Sequence, residues 1–209
     1  MKVLMLNGSP HEHGCTDAAL QEVGSALRQE GVESEILWLG KDPVRDCTAC
    51  GACRKLDNQC VFDGDLVNTA LQKARQADGF VFGTPVYYAH PSGAVLSFLD
   101  RLFYAAGPDV FSYKPGAAVA SARRAGTTAS LDVLNKYFTI SRMPIVSSQY
   151  WNMVHGNNAG EVRQDLEGLQ IMRTLGKNMA WLLKCIEAGK KAGVPLPERE
   201  APQRTNFIR

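Results

Sequence analysis

The chain has 209 residues, 45% of them hydrophobic and 21% charged, and its 23 Lys and Arg against 21 Asp and Glu leave a formal net charge of +2. Such a composition excludes disorder and coiled coil, and the near-neutral balance gives no electrostatic case for a nucleic-acid partner or an anionic membrane. No apolar run nears the ~18 residues of a membrane span and the start is apolar too briefly for a signal peptide, so a single domain over 1–209 in the reducing cytoplasm is expected.

Val3 to Leu6 form a continuous apolar run ending in Gly8-Ser9-Pro10, the pattern of a strand buried on both faces. Leu20, Val23 and Leu27 then recur three and four apart, which predicts a helix over 17–29 stopped by Gly31. Residues 33–39 alternate as a second strand, and 41–62 is a polar insertion loop carrying four cysteines. Asp63-Gly64-Asp65 caps a helix reaching 75, residues 78–83 make a third strand, and Ser92 caps a helix running to 103. A fourth strand (116–121), a helix (127–138), a short fifth strand (144–147) and a long helix (162–188) follow. A surface tail (193–209) ends the chain, with Pro195, Pro197 and Pro202 among its charges. Regular alternation of strand and helix predicts an α/β protein with a doubly wound, five-stranded parallel sheet in the order 2-1-3-4-5, a three-layer α/β/α arrangement.

Sheets of this kind take ligands beyond the carboxyl ends of their strands, where the strand order reverses. Three loops there carry unusual residues. In the first, 8–16, small residues let backbone N–H groups converge, a helix N-terminus follows, and Ser9 and Thr16 offer hydroxyls to a phosphate. The same stretch also reads as a plain turn capped by Thr16. It contains neither GxGxxG nor GxxxxGK[ST], so a dinucleotide fingerprint and a triphosphate loop are both missing. In the second, 84–93, Pro85 and Pro91 stiffen a loop whose Tyr87 and Tyr88 suit a flat heteroaromatic ligand. Neighbouring residues leaving a strand point opposite ways, so one of the two tyrosines is expected to be structural. The third, 121–128, offers backbone N–H groups and two arginines, one to balance negative charge and one to sit in solvent.

Taken together, VLMLNGSPHEHGCT at 3–16, GFVFGTPVYYAHPSGAVLSFLDRLFY at 79–104 and VASARRAGTT at 119–128 resemble the NAD(P)H-dependent FMN reductase branch of the flavodoxin-like superfamily. The resemblance covers most of residues 1–150 and implies bound FMN. It places the phosphate at Ser9, His11, Cys15 and Thr16, and the ring at Pro85, Val86, Tyr87 and Tyr88, with further contacts from Ser121, Ala122, Arg123, Arg124 and Gly126. The family often has arginine where His11 stands and asparagine where Cys15 stands, which implies weaker phosphate binding here. The stretch 147–156 looks like a subgroup pattern, with Tyr150, Trp151, Asn152 and His155 assigned either to the pocket or to a subunit contact. The implied chemistry is hydride transfer from NAD(P)H to the flavin and delivery of electrons to a small-molecule acceptor or a redox partner protein. The flavin carries that chemistry, so no catalytic side chain is required. His90 beside the second loop either relays a proton or packs the loop. A homodimer or homotetramer is also implied, with the last helix (Met179, Trp181, Leu182) at the contact or covering the sheet.

The spacing Cys47-x2-Cys50-x2-Cys53-x6-Cys60 is similar to the compact motif of iron–sulfur flavoproteins, which carry a [4Fe–4S] cluster near FMN. Packing without a metal, a zinc ion and a redox-active dithiol stand beside that reading. Two other functions accordingly stay open: an iron–sulfur electron carrier and a non-enzymatic flavin redox sensor. Cys185, next to Leu182, Leu183 and Ile186, is expected to be a small buried hydrophobe.

Overall fold

The computed structural model describes residues 1–107, 109–205 and 207. β1 (Lys2–Asn7) pairs on both edges, with β2 (Glu33–Trp38) on one side and β3 (Gly79–Tyr87) on the other, and its side chains are buried from Val3 onward because helices cover both faces of the sheet. β4 (His90–Pro91) folds back antiparallel on the end of β3, β5 (Gly116–Ala122) pairs parallel with β3, and β6 (Met153–His155) pairs parallel with β5. The path β2-β1-β3-β5-β6 is the expected doubly wound order once the five parallel strands are counted in sequence.

Alternate strand residues feed two apolar layers. Val3, Met5, Val81, Ala117 and Val119 pack under α1 (Cys15–Gln29) and α6 (Leu166–Lys191), while Leu4, Leu6, Phe80, Phe82 and Ala118 pack under α2 (Val67–Gln76), α3 (Gly93–Ala105) and α4 (Thr127–Ile140). The three-layer arrangement follows from that division.

β3 runs four residues beyond the expected Gly83. Its odd-numbered residues face β1, which has ended by then, so the N–H that Pro85 lacks has no ladder partner to lose. Residues 144–147 do not form the fifth strand. Ile145 makes only a bridge to Gly116, the chain then bulges outward, and pairing resumes at β6. The bulge is held by the Ser148 hydroxyl, which donates to Tyr150 O at 2.6 Å and accepts from Tyr150 N at 3.4 Å. Cys185 is exposed rather than buried, since two residues of helix rotate it about 200° away from buried Leu183. The described tail residues from 193 on are exposed, and no helix among the described residues is long and apolar enough to cross a membrane.

Ser92 ties the fold to the ligand edge. Its Oγ accepts from Val95 N at 3.4 Å to cap α3 and donates to Gly8 O at 3.2 Å, and its own N–H donates to Thr84 Oγ1 at 3.1 Å. Ser92→Ala is expected to cost about 1–2 kcal/mol, the usual price of a lost N-cap. Urea unfolding measures it, and a midpoint equal to wild type would contradict the role.

Candidate functional site

β1, β3 and β5 end at one edge of the sheet, and the loops that follow them enclose a cleft of about 470 Å³. Ser9, His11, Cys15 and Thr16 form one wall, Pro85, Val86 and Tyr87 a second, and Ser121, Ala122 and Arg123 a third. All of these are residues expected from sequence. The fourth side, Gly156 to Ala159, was missed together with His13 and Gly14. Once the last strand is placed at 153–155, its Gly/Asn-rich successor is the loop that should close the edge; the misplaced strand hid that signal.

The first loop is rigid and rich in donors. Ser9 N donates to Asn7 Oδ1 (3.1 Å), Trp38 Nε1 donates to Ser9 O (2.8 Å), and Ser9 Oγ accepts from His11 N (3.1 Å), leaving the Ser9 hydroxyl hydrogen for a ligand. Gly14 opens α1 with no side-chain cap, so first-turn N–H groups and the positive end of the helix dipole face the loop. Thr16 Oγ1 and Ser121 Oγ lie 2.8 Å apart, both buried; one hydroxyl donates to the other and the second keeps its hydrogen. Ser9, Thr16, Ser121 and the α1 amides therefore make a donor set that fits a phosphate, with small side chains leaving it open.

Half-buried Cys15 donates from Sγ to Gly156 O at 3.4 Å. Burial pushes its thiol pKa up, its own backbone N–H opposes the rise, and the charge of Glu161 adds to it. The thiolate is the reactive form. Alkylation of Cys15 by iodoacetamide is therefore expected to stay slow at pH 8 and to accelerate only above the ordinary thiol range. Peptide mapping by mass spectrometry checks it, and rapid labelling at neutral pH would contradict the assignment.

Three expected contacts lie outside the cleft. Tyr87 and His90 pair across a two-residue turn in which Tyr88 and Ala89 both have positive φ (51° and 58°), the signature of a type I′ hairpin. That turn throws the Tyr88 ring outward into full solvent exposure, so Tyr87 lines the cleft and Tyr88 neither lines it nor packs the sheet end as a structural tyrosine would. Arg124 is exposed and is not among the residues lining the cleft, and its carbonyl accepts from His155 Nε2 at 3.1 Å. Gly126 supports the hairpin from behind: a Cβ there would lie 2.5 Å from Ala89 Cα. His90 bonds Pro91 O at 3.1 Å and does not line the cleft. Tyr150 and His155 border a separate hollow with Asp165 and Glu167, and the Tyr150 and Trp151 rings meet edge-to-face at 4.8 Å in solvent.

A second cavity lies under the 41–62 loop. Cys47, Cys50, Cys53 and Cys60, all free thiols, line a space of about 20 Å³ together with Phe62, Arg101 and Tyr104. Positive φ at Ala49 and Gly51 and a 3-10 turn at Ala52–Lys55 fold the loop back on itself. Asn68 clamps Cys60, accepting from its N–H at 2.8 Å and donating to its carbonyl at 2.9 Å. Among the described residues no three His, Cys, Asp or Glu side chains stand ready around a single metal ion. By donor chemistry, four soft cysteine sulfurs beside a buried cation fit an iron–sulfur group. The cation, Arg101, had no signal in the cysteine spacing.

A doubly wound α/β sheet with phosphate donors and stiff apolar walls at its switch point defines a flavodoxin-like protein. The chain belongs to the NADPH-dependent FMN reductase family, whose pattern matches residues 1–158, and is thereby an FMN-binding oxidoreductase. It is 29% identical over 194 residues to an iron-sulfur flavoprotein of Methanocaldococcus jannaschii, covering 90% of this chain and 100% of that one. It is 30% identical over 115 residues to an FMN-dependent NADPH-azoreductase of Staphylococcus saprophyticus, covering 55% of this chain and 57% of the relative. Among solved structures a flavone reductase superposes with a TM-score of 0.69 at 19% identity, over 90% of this chain and 64% of that one, a likeness of fold.

Proposed function

We propose that the protein takes electrons from NADPH onto FMN held in the cleft and delivers them to a small-molecule acceptor or a redox partner protein. The observation that carries this reading is the convergence of the first loop's phosphate donors with the Pro85–Val86–Tyr87 wall in one open cleft. Bound FMN would supply two-electron chemistry toward a nicotinamide and one- or two-electron chemistry toward an acceptor. The protein's own work is positional. Ser9, Thr16, Ser121 and the α1 amides hold the phosphate, Pro85 to Tyr87 flank the ring, and exposed Arg123 at the mouth offers charge to an anionic cosubstrate. Anaerobically purified protein is tested for one FMN per chain and for NADPH oxidation with an added quinone. A flavin-loaded protein with negligible turnover would point to a sensor, and a protein that never takes up FMN would overturn the proposal.

A second reading is favoured by the cysteine cavity: an iron–sulfur flavoprotein in which Cys47, Cys50, Cys53 and Cys60 hold a [4Fe–4S] cluster. Its support is the arrangement of four free thiols around one space, and the likeness over nearly the whole chain to a relative named as an iron-sulfur flavoprotein. Such a cluster supplies one-electron transfer. Iron and sulfide at about four each per chain support it; zinc, or no metal after anaerobic purification, rules against it.

A further inference from the structure

Arg101 is an anomaly on its helix. Its neighbour Asp100 is exposed, as expected of a charge on an amphipathic helix, yet Arg101 is among the largest fully buried side chains. A buried guanidinium is costly unless paired, and every hydrogen bond described for this one goes to the cysteine-bearing loop or its immediate continuation. Nε donates to Cys60 Sγ at 3.3 Å, Nη2 to Phe62 O at 2.7 Å, Nη1 to Arg45 O at 3.4 Å, and Nη1 also pairs with the Asp65 carboxylate. The planar fork thus reaches four points of one loop at once, which the compact ammonium of a lysine cannot do.

We propose that Arg101 is a positioning residue for the cysteine cavity, fixing Cys60 and setting the reduction potential of the iron–sulfur group held there. This rests on the iron–sulfur reading above. A cluster bound by four thiolates is anionic, and one-electron reduction by an external reductant adds one further negative charge with no bond made or broken. A fixed positive charge hydrogen-bonded to a ligating sulfur favours the reduced state, and hydrogen bonds to the sulfurs are a recognised lever on potential. Asp65, paired with the same guanidinium, works in the opposite direction. Neither residue lines the flavin cleft.

The test compares full-length wild type with R101M, R101K and D65N, all purified anaerobically, by iron and sulfide content, bound FMN, and dithionite titration against redox dyes. R101M is expected to move the midpoint potential of the iron–sulfur signal to a more negative value, R101K to lie between R101M and wild type, and D65N to move it to a more positive value. Bound FMN is expected to be unchanged throughout. An unchanged potential in R101M with its iron retained overturns the proposal, as does a shift of the same sign in R101M and D65N, which is what mere loosening of the loop produces. Should R101M lose its iron, D65N decides: a raised potential supports the proposal, and an unchanged or lowered one overturns it. Wild type that binds FMN but contains no iron or sulfide is a distinguishable result, because it removes the iron–sulfur reading itself and the assignment of Arg101 with it.

Discussion

Replacing Thr16 by valine is expected to weaken FMN binding roughly 10- to 100-fold while barely changing the affinity for riboflavin. The Thr16 and Ser121 hydroxyls form a buried pair at 2.8 Å in the cleft wall, at the first turn of α1. A hydrogen bond to a charged group contributes about 1.5–3 kcal/mol, and every 1.4 kcal/mol is about a factor of ten in affinity. Valine keeps the shape of threonine but removes the hydroxyl, so the hydrogen that the pair leaves for a phosphate falls to Ser121 alone, which loses the partner that orients it. Riboflavin has the same ring and no phosphate, which isolates the effect. Flavin-fluorescence titration of the apoprotein with both ligands measures it. Equal weakening of the two would mean that Thr16 supports the ring or the fold instead.

Gly126→Ala is expected to destabilise the protein by about 2–5 kcal/mol, the sum of a left-handed backbone penalty of about 1–2 and overpacking of about 1–3. Gly126 has φ +101°, and a Cβ there would sit 2.5 Å from Ala89 Cα and 2.9 Å from Val86 Cγ1. The first of these is backbone and cannot swing aside. The second is in the cleft wall, so relief of the clash moves the surface proposed to flank the ring, and FMN affinity is expected to fall along with stability. Gly93, at the first turn of α3 with nothing within 4 Å, is the control: Gly93→Ala should be neutral or slightly stabilising. Thermal unfolding of both variants gives the answer, and equal melting temperatures would remove Gly126 from its supporting role.

Both experiments concern residues picked out from the sequence, and they illustrate what was legible there. Ser9 and Thr16 were recognisable because phosphate loops have a local chemistry of small residues, hydroxyls and a following helix, all within nine positions. Gly126 was recognisable as unusual but not in its role: the sequence suggested a ligand contact, whereas its contact is with Ala89, 37 positions earlier. Tyr87 and Tyr88 do diverge, but Tyr88 stands beyond the end of β3 at positive φ, so the turn and not the alternation of a strand separates them. Which of them faces the cleft depended on a type I′ turn built without the usual Asn-Gly, a conformation held in place by packing against Gly126.

The periodicities of two and three-to-four, the turn residues and the cysteine spacing act over a few positions, so the amino-acid sequence alone determined the strand order, the two apolar layers, three walls of the cleft and the set of four thiols. Only the tertiary structure decided where the edge strand pairs, that Gly156 to Ala159 close the fourth wall, and that Arg101 leaves solvent to lie against Cys60. Those outcomes depend on segments tens of residues apart meeting in space, and the cost of burying a guanidinium is met only when a distant loop folds over it with a carboxylate, a sulfur and two carbonyls in reach.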